Sequence, residues 1–156
     1  MLAVPLFAVQ ALGVANLVAE AGNQPLHGMI AVAEVVRNRT ERRYQSDGSI
    51  VGTIFKPYQF SWIGDGTPWR ARIFGLTWAD PQVQQATRAW GVAFGDAERS
   101  DVAKGAVLYH TSKAPVVKGR PIPWPPKWAT APGVVEVARI GDHVFYDDHH
   151  GRKASP

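Results

Sequence analysis

Glu20 is the carboxylate whose position asks for an explanation. It falls in the last turn of a helix predicted over residues 5–20, where the helix dipole is negative. On the helical wheel it shares a face with Val9, Gly13 and Leu17, with Asn16 beside it. That face is largely apolar. Burial and the dipole both disfavour the charged form of a carboxyl, so both are expected to raise its proton affinity. A carboxyl kept protonated near neutral pH can protonate the leaving oxygen of a glycoside. The competing reading is a solvated glutamate at a frayed helix end, and physics alone leaves the two level. Glu34 is the rival acid. It lies on the polar sector of the next helix, with Arg37 three residues on, which predicts a solvated residue with a helix-surface partner.

The elements that must position Glu20 can be read along the chain. Gly22-Asn23-Gln24-Pro25 is a helix stop. A second helix is predicted over residues 27–43. Met29, Ile30, Val32, Ala33, Val35 and Val36 cover most of its circumference, leaving His27, Glu34, Asn38 and Glu41 as the polar sector. Residues 46–52 form a loop, and 50–55 a short strand or helical turn. Residues 58–62 alternate aromatic and polar side chains like a strand. Asp80-Pro81 opens a third long helix that ends near Gly95, with Trp90 on its apolar stripe. Residues 106–110 read as a strand. Residues 115–132 contain six prolines, which forbids a helix or a central strand and predicts an ordered loop or a lid. Residues 134–140 and 143–146 form a hairpin across Gly141-Asp142, and residues 146–156 a polar, flexible tail. Helices first and a small antiparallel sheet last make an α+β fold, a single domain over residues 1–156.

The bulk properties exclude more than they assign. A chain of 156 residues, 46% hydrophobic and 19% charged, suits one soluble domain. With no cysteine, thiol chemistry and disulfides are out. A net charge of +4 and a pI of about 9.6 draw the protein to polyanions such as nucleic acid, anionic lipid or wall polymers. Arg37, Arg39, Arg42 and Arg43 cluster at a helix C-terminus, where they complement the dipole; a polyanion patch is the alternative. Residues 2–19 are nearly uncharged and about as long as a membrane span. They contain Pro5, Gln10, Gly13 and Asn16 and lack a basic start, so a buried helix is expected, with a signal anchor as the alternative. His149-His150 after Asp147-Asp148 lack the spacing of a metal site, so neither metal nor cofactor is expected. No phosphate loop, H-E-x-x-H or nucleophile elbow occurs, which weighs against a zinc amidase or an esterase.

One set of segments is recognisable. Leu17-Val18-Ala19-Glu20-Ala21-Gly22 is followed by the run from Gly28 to Asn38-Arg39. Then come Gln59-Phe60-Ser61-Trp62, Gly105-Ala106-Val107-Leu108-Tyr109-His110 and Ile140-Gly141-Asp142-His143-Val144-Phe145-Tyr146. In this order they resemble the SleB-like cell-wall hydrolases, the family of spore-cortex-lytic enzymes and related phage endolysins. The resemblance spans residues 12–146. It implies a lysozyme-like, lytic-transglycosylase-like helical core with a small antiparallel sheet, and it places the family's catalytic glutamate on Glu20. It also implies cleavage between N-acetylmuramic acid and N-acetylglucosamine. Two departures stand out: Asn23-Gln24 replace an acidic residue common in the family, and Glu34 stands where a small residue is frequent.

An ordinary glycosidase needs two carboxylates. Asp65 and Asp142 lie in glycine-flanked turns and read as turn residues, so no convincing second acid is found. A single glutamate suits a lytic transglycosylase, in which the sugar's own C6 hydroxyl attacks C1. Hydrolysis by an activated water, as in a muramidase, stays open. Gln59 and Ser61 share one strand face and could orient a sugar, with Phe60 turned to the core. Tyr109 could hydrogen-bond the acid or stack on a sugar; His143 could donate to substrate or brace the sheet. Trp124 and Trp128, in the proline-rich loop, could form a sugar platform or pin that loop to the body. The expected partner is bacterial peptidoglycan, met by a monomer in the periplasm or outside the cell, or after synthesis in a host cytoplasm if phage-encoded. Nucleic-acid binding and stable membrane insertion are not expected. The competing class is a non-catalytic wall- or polyanion-binding module, in which Glu20 would be dispensable.

Overall fold

The computed structural model describes residues 6–56, 60, 72–95 and 97–151. The α-helices whose bounds lie among the described residues are α1 Leu6–Ala21, α2 Leu26–Arg42, α3 Ile50–Ile54 and α4 Pro81–Phe94. The segment that could have been strand or helix is therefore the helical turn α3. Its start is fixed by Ser49, whose hydroxyl accepts from the Gly52 N–H at 2.8 Å. Pro81 opens α4 as expected. The Asp80 carboxylate accepts instead from the Thr77 N–H at 3.0 Å, tightening the turn before the helix.

α2 is the spine of the domain, with every residue from Gly28 to Arg39 buried. α1, α3 and α4 pack around it, and β4 touches it from the other side. The almost uncharged N-terminal stretch is a domain helix over its described part. Val14, Asn16, Leu17 and Val18 are all buried. Among the described residues no helix is long and apolar enough to cross a membrane. α1 and α4 approach closely at Gly13, where a Cβ would run into the Trp90 ring. Trp90 in turn stacks on Phe94 at 4.0 Å.

The polar sector of α2 departs from expectation. Glu34 is fully buried rather than solvated. Its carboxylate accepts the N–H groups of Val102 and Ala103 at 3.1 and 2.7 Å. Asn38 donates to the Ala106 carbonyl, Arg37 to those of Ala93 and Ser100, and Arg39 to that of Val107. The irregular segment 99–107 has few backbone partners of its own, and buried polar groups must be satisfied. The stripe supplies them. Arg37 and Arg39 are thus structural donors with no part in a surface patch.

The sheet has three antiparallel strands in the order β1-β5-β4: β1 Leu108–Thr111, β4 Val134–Ile140 and β5 His143–Asp148. The register pairs Tyr109 with Phe145 and Thr111 with His143, and a bulge interrupts β4 between Glu136 and Ala138. Residues paired in this way lie on one face, so Tyr109, His143 and Phe145 look toward the helices. Leu108, His110, Val144 and Tyr146 take the other face, where Ala129 and Trp128 cover them. The proline-rich stretch is an ordered connection. It holds a two-stranded ribbon, β2 Val116–Val117 with β3 Arg120–Pro121, and a 3-10 turn Lys127–Thr130.

The first part of the tail expected over 146–156 is structured. β5 runs to Asp148, and Asp147 is buried. Arg42 donates to Asp147 at 2.7 Å, and the Tyr44 hydroxyl to Asp148 at 2.7 Å. A 3-10 turn, His149–Gly151, follows; the His149 N–H bonds the Gly133 carbonyl at 2.9 Å. Residues 152–156 lie outside the described residues.

Candidate active site

Glu20 is half-buried in the last turn of α1. The structure brings Tyr109 to it across the boundary between helices and sheet: the phenol hydroxyl donates to Glu20 Oε2 at 3.1 Å. Tyr109 can do so because β1 turns it to the helical side. Burial, then the nearby Glu20 charge, pushes the Tyr109 phenol well above its ordinary range. The phenol is therefore a neutral donor at any working pH. Of the two alternatives for Tyr109, contact with the acid is the one observed.

Arg39 completes the floor. It is 5% exposed. Its Nε donates to the Val107 carbonyl, and its guanidinium lies 5.5 Å from the centre of the Phe60 ring. Burial lowers its pKa, opposed by Tyr109, Tyr44 and Glu20. Nη1 is buried and has no hydrogen-bond partner among the described residues. No sequence pattern singled Arg39 out, because it read as one of four basic residues at a helix end. Phe60 is buried in the main core, as expected. Gln59 and Ser61 lie outside the described residues, as does Asp65.

The other candidates separate. His143 is 3% exposed and meets Tyr109 edge-on, with ring centres 5.1 Å apart. Its ring packs edge-on against the tyrosine and braces it. Burial lowers its pKa, so it stands there as a neutral ring. Trp124 and Trp128 share a neighbour in the structure. Both pack against His110 on the far face of the sheet, at 5.1 and 5.6 Å, and Trp128 also meets Tyr146 at 5.4 Å. Trp124 Nε1 donates to the Thr111 carbonyl at 2.8 Å. These contacts pin the proline-rich loop to the edge of β1. Asp142, a candidate second carboxylate, is tied to Gln24. The Gln24 amide donates to Asp142 Oδ2 at 3.3 Å and accepts from the Asp142 N–H at 2.9 Å. His149 and His150 form no metal-ligand cluster with neighbours among the described residues.

A cavity of about 480 Å³ opens at the end of the sheet where β1 and β4 begin and β5 stops. Tyr109, Arg39, Tyr44, Trp128, Asp148 and His150 are among the residues lining it. Glu20 is not one of them; Tyr109 is the residue common to the acid and the cavity. The site therefore combines a carboxyl held by a neutral donor with an adjacent hollow of mixed aromatic and polar lining. Such a lining suits a ligand with apolar faces and many hydroxyl and amide groups.

The sequence profile of the cell wall hydrolases matches residues 23–146. The chain belongs to that family. The match begins three positions after Glu20, so that residue lies outside the matched segment. Two solved structures share that fold. The catalytic domain of the germination-specific lytic transglycosylase SleB from Bacillus anthracis is 21% identical, with a TM-score of 0.58. The match covers 92% of this chain and 100% of that one. The catalytic domain of the Bacillus cereus SleB protein is 19% identical, with a TM-score of 0.61, covering 92% and 95%. No curated protein sequence matches.

Proposed function

We propose that this chain cleaves the glycan strand of bacterial peptidoglycan at the bond between N-acetylmuramic acid and N-acetylglucosamine, as a lytic transglycosylase with Glu20 as its single acid and base. The observation that carries the reading is the Glu20–Tyr109 hydrogen bond at the helix–sheet boundary, beside an open cavity in a cell wall hydrolase fold. The SleB domain that shares this fold is described as a lytic transglycosylase, which favours that reaction over hydrolysis.

Glu20 Oε2 accepts from the tyrosine hydroxyl, and the protonated form of this carboxyl is the acid of the scheme. Glu20 gives that proton to the glycosidic oxygen as its bond to C1 breaks. The carboxylate then takes a proton from the muramic C6 hydroxyl, whose oxygen bonds to C1. The product is a 1,6-anhydro sugar, Glu20 is protonated again, and no water is consumed. Tyr109 stabilises the carboxylate between the two transfers. Asp142 and Asp148 are engaged by Gln24 and Tyr44, which suits a one-carboxylate scheme. The net charge of +4 adds attraction to the anionic wall. A monomeric, single-domain endolysin of phage origin fits these features.

Digestion of purified peptidoglycan by wild type and Glu20→Gln, with sugar ends identified by mass spectrometry, tests the assignment. Anhydro-muramyl ends from the wild type and a loss of about 10²-fold or more in the variant are expected. Reducing ends would make the enzyme a muramidase. Equal digestion by both proteins would remove Glu20 from the mechanism. No digestion by either would leave a binding module.

A further inference from the structure

The chain carries 17 lysines and arginines against 13 aspartates and glutamates. That surplus is concentrated. Residues 112–135 hold Lys113, Lys118, Arg120 and Lys127 and no acid, so the rest of the chain is balanced and the whole net charge of +4 lies on this one segment. All four basic residues are exposed. No ion pair among the described residues involves them. The segment also holds its charges away from the body. Its base is fixed: the Ser112 N–H bonds the Asp142 carbonyl at 2.7 Å, and the Trp124 indole N–H bonds the Thr111 carbonyl at 2.8 Å. Beyond that base, among the described residues, β2 and β3 pair with each other alone. Val117 pairs with Arg120 across a two-residue turn in which Lys118 and Gly119 have φ of 50° and 75°. Positive φ at both positions gives the tight turn that follows the twist of the strands. A Cβ added at Gly119 would meet nothing within 4 Å, so the apex stands clear of the domain.

Aliphatic side chains stand among the charges. Val116 and Val117 are 65% and 52% exposed, and Ile122 is exposed as well. Contiguous apolar side chains left in water mark a contact surface. The composition of the ribbon selects the partner. From Ala114 to Ile122 it has no aromatic ring to stack on a sugar or a base, and no amide, hydroxyl or carboxylate to hydrogen-bond one. A polysaccharide or a nucleic acid would use the basic groups and gain nothing from the valines. A bilayer with anionic headgroups uses both. Its phosphates meet the charges, and the aliphatic side chains leave water at the acyl boundary. We propose that the β2–β3 ribbon docks the protein reversibly on an anionic phospholipid surface. Val116, Val117 and Ile122 enter the headgroup layer, while the long stems of Lys118 and Arg120 carry their charges to the phosphates. The protein lies on the membrane and does not cross it. This contact goes beyond glycan cleavage and does not depend on it.

Sedimentation with vesicles tests the proposal, using phosphatidylcholine alone and equal parts of phosphatidylcholine and phosphatidylglycerol. The wild type is expected to bind the mixed vesicles about tenfold more tightly or better. Lys118→Asn, which accepts the turn, combined with Arg120→Gln should weaken that binding by about fivefold per charge. Val116→Ser with Val117→Ser keeps every charge and should weaken it about tenfold. All four side chains are exposed, so thermal melts should match the wild type. Equal binding of the wild type to both kinds of vesicle, or to neither, would overturn the proposal without any variant. Vesicle binding unmoved by the serine pair would overturn it too, leaving a ribbon that attracts polyanions by charge alone. So would variants that lose digestion of solubilised peptidoglycan while keeping vesicle binding, since the ribbon would then grip the glycan. The vesicle measurement needs no catalysis, so its failure and that of the Glu20 assignment are read separately.

Discussion

Glu20 and Tyr109 are 89 positions apart in sequence yet share one hydrogen bond. Replacing Tyr109 by phenylalanine removes that bond and little else. We expect kcat on peptidoglycan to fall about tenfold with KM nearly unchanged; a rise in KM at constant kcat would make the tyrosine a sugar ligand instead. Behind it, His143 is buried, and that burial holds its pKa below the ordinary 6.5. The unfolded chain therefore binds a proton first as pH falls. Above 6.5 the ring costs nothing, and below it stability is lost progressively. Thermal melts of wild type and His143→Gln from pH 7.5 to 5 should diverge, with the steeper loss in the wild type. Parallel curves would show that His143 titrates alike in both states. The sequence exposed Glu20 because a carboxylate on an apolar stripe is conspicuous. It could not expose Arg39, whose burial depends on a loop more than sixty residues later.

At the scale of elements, periodicity was a good guide to helices and a poor one to what the helices face. The apolar run of α2, the Asp80-Pro81 start of α4 and the hairpin of β4 and β5 were all legible, since spacing and turn residues dictate them. The polar sector of α2 was misread because amphipathic reasoning sends charge to water. Here water is replaced by the backbone of 99–107, whose N–H and carbonyl groups need partners. Glu34→Ala should leave the Val102 and Ala103 N–H groups unpaired, at a cost of about 1–3 kcal/mol and several degrees of Tm. Glu34→Gln, keeping one acceptor oxygen, should recover part of it. Calorimetry showing no loss for alanine would mean that water satisfies this turn. The proline-rich stretch was open between lid and ordered loop. Trp124 and Trp128 settle it by packing against His110.

For the whole molecule, the decisive contact is α1 against α4. Gly13 faces Trp90 with no room for a methyl group. Gly13→Val should destabilise the domain by more than 2 kcal/mol, as overpacking between helices does, and wall digestion at 37 °C should fall with it. Full lytic activity in a protein lacking residues 2–19 would show that α1 is not part of the catalytic body. The aromatic strand expected over residues 58–62 remains an expectation apart from buried Phe60.

The order of the sheet has a consequence for when the enzyme becomes dangerous. Among the described residues β1 pairs with β5 alone, and β5 is the last strand of the described chain. Tyr109 is therefore unsupported until residues 143–148 have left the ribosome and docked. A nascent or truncated chain would carry Glu20, the proposed acid, on α1 without the hydroxyl that bonds it. Synthesis itself acts as a safety catch: lytic capacity arrives in one step, with the closing strand.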